Sequence, residues 1–371
     1  MHRDKFDIII IGAGVSGLIL ANEILDRTDK SVLLLEKKKK IKFDKNLCFW
    51  NIPNSAITNF ADNEWKSISI IINGKKKLHE SCNIKYLRIK SENLFNFYLQ
   101  RLKKRKNFKL LTGQDIRSLE INPHTVYANT KTNKFQSSIL FDSRIEKGIK
   151  SSNKLMQHFY GVEIKFESEC VNKNEMILMD IQDNGKEFNF IYSLPFSKSN
   201  VLIETTYFSK KTFSISKYKK DLKSYISKNY SGRKYKVLFK EFGIIPMFKF
   251  EEKDTDNYIK IGTAGNWIRQ STGYSLQNSF FFSKQIVDCI IKGKKPKVKK
   301  KIFYNFLDQT FCNLAINNPT KLKLFFDCFF RNNKLKTIVK FLTYTANMRE
   351  IIKIILSLPK LLLVKTVLEI K

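Results

Sequence analysis

The period of the apolar positions changes several times along the chain, and each change marks an element. Four consecutive isoleucines, Ile8 to Ile11, read as a strand buried on both faces, as in a parallel sheet. A helix-compatible run, Leu18 to Leu25, follows, and Ser31-Val-Leu-Leu-Leu35 reads as a second buried strand ending at Glu36. Beyond the Lys37–Lys40 run, Asn46-Leu-Cys-Phe-Trp50 is a local apolar cluster. Trp65 to Ile72 alternates as a strand does, and Asn73-Gly74 predicts a hairpin turn behind it. Ser91 heads a helix with Leu94, Phe95, Tyr98, Leu99 and Leu102 on one face. Lys109-Leu-Leu and Asp115–Ile121 read as short strands, and Ser138-Ile-Leu-Phe-Asp142 as a buried strand ending in an acid.

From Gln157 the pattern becomes alternating. Strands are expected at Gly161–Phe166, Glu175–Asp180, Glu187–Leu194 and Asn200–Thr206, then a helix at Ser216–Asn229 and a strand at Tyr235–Phe242. A strand at Tyr258–Gly262 leads into a second glycine-bearing turn, Thr263 to Tyr274, and another helix. After the basic stretch Lys292–Lys301 the chain reads as helical to its end, with a basic amphipathic helix at Met348–Leu358. No internal repeat is visible.

The first two strands and their helix carry the motif Gly12-Ala13-Gly14-Val-Ser-Gly17, spaced G-x-G-x-x-G. Gly12 permits the tight turn, Gly14 lets backbone approach a pyrophosphate, and Gly17 lets helix and strand pack closely. A helix start supplies N–H groups and partial positive charge to phosphates, and Glu36 stands where an acid binds a ribose hydroxyl. Placed between a strand and a helix near residue 1, the motif reads as an FAD-binding unit through Gly12, Ala13, Gly14, Gly17 and Glu36. The fold class is therefore α/β: an FAD-binding Rossmann-type domain with an inserted antiparallel β-sheet substrate domain and a C-terminal helical region. The expected division is 1–150 and 255–292 for the FAD-binding domain, 151–254 for the inserted sheet, and 293–371 for a membrane-facing helical region. The return segment would bring Gly262, Gly265, Thr272, Gly273 and Tyr274 to the cofactor. Thr272-Gly273-Tyr274 reads either as backbone N–H groups presented to the flavin or as an ordinary helix-start cap. Asp142 either approaches the cofactor or caps a turn with Ser143.

At 371 residues and 43% hydrophobic, the chain can bury a core and is no disordered tail. Its 68 basic against 34 acidic residues leave a formal charge of +34, which attracts polyanions or an anionic membrane unless it reflects Lys-rich composition alone. The excess is dispersed Lys without clustered Arg and stacking aromatics, so nucleic acid is not an expected partner. Six scattered cysteines without a C-x-x-C pair, and four histidines without metal spacing, argue for reduced thiols and no metal. Asp4, Asp7 and the glycine pattern argue against reading the N-terminus as a signal peptide, and no run of ~18 apolar residues predicts a transmembrane helix.

Several ordered blocks together resemble the flavin-dependent lycopene cyclase family of the bacterial and plant type. They are Gly12 to Gly17, Phe141-Asp-Ser-Arg144, Gln157-His-Phe-Tyr-Gly161, Met176 to Asp180, Leu194-Pro-Phe-Ser197, Leu202-Ile-Glu204-Thr-Thr206, Glu241 to Met247, and Gly262 to Ser275. They span roughly residues 5–290. Leu47, Ile145, Val162, Thr205 and Asn266 depart from the usual family residues, Thr205 standing where several members carry a second acid.

The resemblance implies non-redox ring closure on lycopene, a linear C40 polyene, forming β-ionone rings. It also implies reduced FAD as cofactor, NADPH as indirect reductant, and Glu204 as the acid. Such chemistry needs a carboxyl kept protonated in an apolar site, an electron-rich surface for cationic charge, and exclusion of water. Glu204 ends the apolar run Val201-Leu-Ile and fits, the alternative being a surface or capping glutamate. An insoluble substrate implies a cytoplasmic protein peripheral on the inner face of the cell membrane, docked by basic C-terminal helices that otherwise read as core. Two other readings stay open: a monooxygenase or geranylgeranyl-reductase-like oxidoreductase of the same flavin fold, and a basic non-catalytic flavoprotein binding membrane or nucleic acid.

Overall fold

The computed structural model describes residues 4–41, 45–51, 56–145, 154–183, 185–299 and 301–368. β1 (Asp4–Ile11), α1 (Val15–Arg27) and β2 (Val32–Glu36) form the opening unit. They are followed by β3 (Asn46–Trp50), β4 (Asn63–Trp65), the hairpin β5 (Ser67–Ile72) and β6 (Lys75–Glu80), β7 (Tyr86–Lys90) and α2 (Ser91–Lys103). Then come β8 (Phe108–Thr112), β9 (Ser118–Asn122), β10 (Thr125–Asn129) and β11 (Lys134–Asp142), and next β12 (Met156–Phe166), β13 (Glu175–Gln182), β14 (Phe188–Pro195) and β15 (Asn200–Ser209). α3 (Ile215–Asn229), β16 (Tyr235–Pro246), β17 (Tyr258–Lys260) and α4 (Leu276–Ile291) lead to the tail helices α5 (Ile302–Asn317), α6 (Leu322–Arg331), α7 (Leu335–Leu342), α8 (Met348–Ser357) and α9 (Lys360–Leu368).

The first sheet runs β8-β2-β1-β11-β10-β9, with β17 added in parallel on β11. β1 pairs in parallel with both β2 and β11, which explains its unbroken isoleucines. Ile8 and Ile10 pack in the core under α1, α2 and α4, while Ile9 and Ile11 face Leu33, Leu35 and Val126 on the other side. A strand wet on one face would alternate instead. The α2 face expected from the sequence is the buried one, Leu94, Phe95, Tyr98, Leu99 and Leu102.

The second sheet runs β16-β12-β15-β14-β13-β5-β6. It differs from the expected inserted sheet in one respect: the hairpin β5–β6 comes from residues 67–80, and β5 pairs with β13 in parallel. The hairpin turn is where the sequence put it, with Asn73 and Gly74 both at positive φ. The expected boundary between residues 150 and 151 lies outside the described residues. α3 covers one face of this sheet through Tyr218, Leu222, Tyr225 and Ile226. The tail helices cover the other, through a phenylalanine-rich core that includes Phe311, Phe325, Phe326 and Phe329. Among the described residues, no helix is long and apolar enough to cross a membrane.

Candidate active site

The expected nucleotide site assembles around the end of β1. Gly12 has φ +102°, and a Cβ there would lie 2.0 Å from Ser143 Oγ. At Gly17 a Cβ would lie 2.0 Å from the Gly12 carbonyl oxygen, so the helix can sit this close to the strand only without one. Gly14 is the helix N-cap, and a Cβ built on it meets no described atom within 4 Å. It faces open space. The first turn of α1 carries no acidic residue and no side-chain cap, leaving its positive end for an anion. Glu36, at the end of β2, accepts hydrogen bonds from Ala13 N–H at 2.9 Å and Lys38 N–H at 2.9 Å. It therefore lies beside the glycine loop. These features fit a dinucleotide cofactor: a cradle free of side chains for the pyrophosphate and a carboxylate at its rim.

The return segment approaches this loop at Gly262. A Cβ on Gly262 would lie 3.0 Å from Ser16 Oγ, and Ser16 Oγ in turn bonds Ser279 Oγ of α4 at 2.9 Å. Gly265 is set further into its turn, where a Cβ would meet the Lys260 carbonyl oxygen at 2.2 Å. The amides of Thr272 and Gly273 both donate to the Arg269 carbonyl, at 3.3 and 2.8 Å, and Tyr274 N–H donates to Thr272 Oγ1 at 3.3 Å. These N–H groups close the turn on itself; a Cβ on Gly273 would lie 3.2 Å from Ile245, and the Tyr274 hydroxyl accepts from Trp50 Nε1 at 3.1 Å. Asp142 is fully buried and lies in a charge cluster with Arg144, Lys260 and the Tyr258 hydroxyl. Burial works to raise its pKa, but the Arg144 hydrogen bonds and the two cations prevail and hold it below the ordinary value.

Glu204 lies on β15, opposite Gly161 of β12, which on its other side is opposite Glu241 of β16. Directly opposed residues share a face. Strand spacing sets the two glutamates' Cβ atoms about 10 Å apart. Because the residue between them is glycine, both carboxyls can lean inward over it and hydrogen bond to each other. A Cβ on Gly161 would lie 2.6 Å from Glu204 Cγ. Both glutamates are buried, at 8% and 6% exposure. Burial first, and then the Glu241 charge and hydrogen bond, push the Glu204 pKa well above its ordinary value, with Lys45 opposing.

These two carboxyls and Thr272, Gly273 and Tyr274 line one cavity of about 530 Å³. Its walls are otherwise largely apolar and carry several aromatic rings, including Tyr86, Phe159, Phe190 and Tyr192. Tyr192 pairs across from Glu204 and donates its hydroxyl to Tyr86 at 3.2 Å. Ring faces can stabilise a passing cation. Asp180, the other carboxyl on this sheet with a raised pKa, owes that first to burial and is hydrogen bonded to Tyr225 of α3, on the opposite face. It is outside the cavity. Glu241 and Gly161 had no leading role in the sequence reading. The available signal was the glycine itself, since glycine inside a strand marks a close approach. Among the described residues, no group of three His, Cys, Asp or Glu could hold a metal.

Comparison with known proteins bears on the family and the fold. The chain is similar to chloroplastic neoxanthin synthase of Solanum lycopersicum, 24% identical over 79% of this chain and 62% of that protein. It is likewise similar to chromoplastic capsanthin/capsorubin synthase of Citrus sinensis, 23% identical over 89% of this chain and 73% of that one. The chain thus spans about 62% of the length of the first of these relatives. In fold it is similar to a geranylgeranyl bacteriochlorophyll reductase-like protein of Thermoplasma acidophilum, with a TM-score of 0.70 at 12% identity over 98% of this chain and 99% of that one. It also resembles the halogenase PltM, solved in complex with FAD, with a TM-score of 0.57 at 11% identity over 88% and 76% of the two chains. The family model described as lycopene cyclase protein matches residues 7–367, nearly the whole chain. The chain belongs to the lycopene cyclase family.

Proposed function

We propose that this protein is an FAD-dependent enzyme that closes the linear ends of lycopene, or of a closely related polyene, into β-ionone rings by acid catalysis without net redox change. The observation that carries the reading is Glu204, a buried carboxyl whose pKa is pushed well above its ordinary value, on a largely apolar cavity that the Thr272–Tyr274 turn also lines. Glu204 delivers its proton to the terminal alkene, the cavity wall excludes water, and the aromatic faces share the positive charge. Gly12, Ala13, Gly14, Gly17 and Glu36 would hold the cofactor, with Gly262 against the same loop, and Gly273 and Tyr274 toward the flavin end. When bound in its reduced form, with NADPH as the indirect source of electrons, FAD supplies negative charge beside a cation.

The same reading takes the protein to be cytoplasmic and peripheral on the inner face of the cell membrane. Its tail exposes apolar side chains, with Ile302 at 82%, Leu361 at 90% and Leu368 at 80%, in a strongly basic chain. Between the tail helices lies a second, apolar cavity of about 420 Å³ that shares Thr272, Phe326 and Phe329 with the first. A path from lipid to the acid would run through it.

The test is ring formation from lycopene by the chain loaded with reduced FAD, compared with Glu204→Gln. Removing a general acid is expected to cost at least ~10²–10⁴-fold. Turnover by Glu204→Gln close to that of the wild type would refute the assignment. Consumption of NADPH in proportion to product would instead favour a reductase or monooxygenase.

A further inference from the structure

We propose that Glu241 is the base of the reaction: it takes the proton that the ring cation loses and returns it to Glu204 across the contact between the two carboxyls. This rests on the ring-closing reading above, and it is carried by the polarity of a part-buried hydrogen-bond chain. Arg88, at 3% exposure, has only donors to offer. It is fixed by Asp62 Oδ1 at 2.7 Å, Asn63 Oδ1 at 3.2 Å and the Phe196 ring at 4.1 Å. Its Nε donates to Asn46 Oδ1 at 2.8 Å, which settles the orientation of that amide. Asn46 Nδ2 is then aimed at Glu241 Oε1 and donates to it at 2.6 Å. Donors directed at a carboxyl favour its ionised form. Two carboxyls in contact can hydrogen bond only if one keeps its proton. With the Arg88–Asn46 chain feeding Glu241, the proton is left on Glu204.

That arrangement closes the proton balance of the reaction. The O–H bond of Glu204 breaks as a C–H bond forms at the terminal alkene carbon, leaving a tertiary cation. The neighbouring alkene makes a C–C bond to that centre, and the charge moves into the new ring. A C–H bond beside the charge then breaks, its electron pair becomes the ring alkene, and Glu241 takes the proton. Glu204 is now the carboxylate and Glu241 the acid. One transfer along their contact restores the starting pair, with no proton or electron gained or lost.

The experiment uses the full chain with reduced FAD and lycopene in liposomes, with Glu241→Gln and Glu241→Asp beside the wild type. Glu241→Gln is expected to lower multiple-turnover ring formation by ~10²-fold or more and to divert the ring cation to other alkene isomers or alcohols. Glu241→Asp keeps a base and should turn over faster than Glu241→Gln. A second measurement needs no substrate: the infrared carbonyl stretch of a protonated carboxylic acid at neutral pH. The wild type should show it, Glu204→Gln should lose it, and Glu241→Gln should keep it. Glu241→Gln turning over within threefold of the wild type with unchanged product would overturn the proposal. So would equal losses in the two Glu241 variants, or a protonated band lost from Glu241→Gln but kept in Glu204→Gln. A wild type that shows the band but forms no ring would remove the ring-closing reading, and the acceptor role with it, while the shared proton would stand.

Discussion

Replacing Gly161 by alanine tests the geometry on which the candidate acid depends. The added Cβ would sit 2.6 Å from Glu204 Cγ, 3.2 Å from its Cδ and 3.0 Å from Oε1. Carbon atoms prefer separations of ~3.5 Å or more, so the Glu204 side chain must retreat by about 1 Å. The atom in the way is Cγ, close to the strand, and the flexible end alone cannot relieve the contact. Retreat opens the hydrogen bond to Glu241 and moves the acid away from its working position. A displacement of 1 Å at a reacting group can cost ~10²-fold in rate, and that is the loss expected here. The net effect on stability should run from neutral to a loss of about 2.5 kcal/mol. Alanine removes backbone freedom from the unfolded chain, worth about 0.4–1 kcal/mol, while forced repacking costs about 1–3 kcal/mol in the other direction. The assay is ring product per FAD-loaded chain, with bound flavin absorbance and the urea midpoint recorded on the same preparation. Gly161→Ala working within twofold of the wild type would refute the idea that the bare strand position sets the acid.

Gly14→Val should fold normally, because the space its side chain enters is open, and should lose FAD on purification if that space is the proposed pyrophosphate cradle; full flavin occupancy would place the cofactor elsewhere. Glu204 has a folded pKa above its ordinary 4.5, so its contribution to stability is complete below the unfolded value and is lost as pH rises through the folded one. Glu204→Gln should therefore gain on the wild type by up to ~1.4 kcal/mol per pH unit across that window, read from denaturation midpoints above pH 5, and parallel curves would contradict the shift. Flotation should recover more protein with anionic than with neutral liposomes, at about 1 kcal/mol per Lys near the surface, and equal recovery would remove the electrostatic part of membrane docking.

What could be read in advance was what neighbouring residues determine. Ile8–Ile11, the Ser91 helix and the Asn73-Gly74 turn each carry their period or turn chemistry within a few positions, and each has its expected form in the structure. The hairpin β5–β6 was legible as a hairpin, but its membership of the second sheet was not, since pairing with β13 joins residues more than a hundred positions apart. The same limit hid the Glu241–Gly161–Glu204 row, which exists only through the register of three strands. The Thr272 and Gly273 amides are taken up inside their own turn, by the Arg269 carbonyl three and four residues back, and the Tyr274 amide by Thr272 Oγ1.

Arg269 ties that turn to the tail. Its carbonyl receives the turn's amides, while its guanidinium, fully enclosed, pairs with Asp308 of α5 and lies near the rings of Tyr304, Phe341 and Tyr344. One residue thus serves as both hinge pin and latch. The tail cannot be treated as a detachable module: shortening the chain before α5 to gain solubility would strip the lining from a buried cation whose backbone shapes the cavity wall. Grafting the tail of a relative would demand a matching acid and ring cage. In this chain, whatever the tail docks against and whatever the cavity accepts are mechanically one choice.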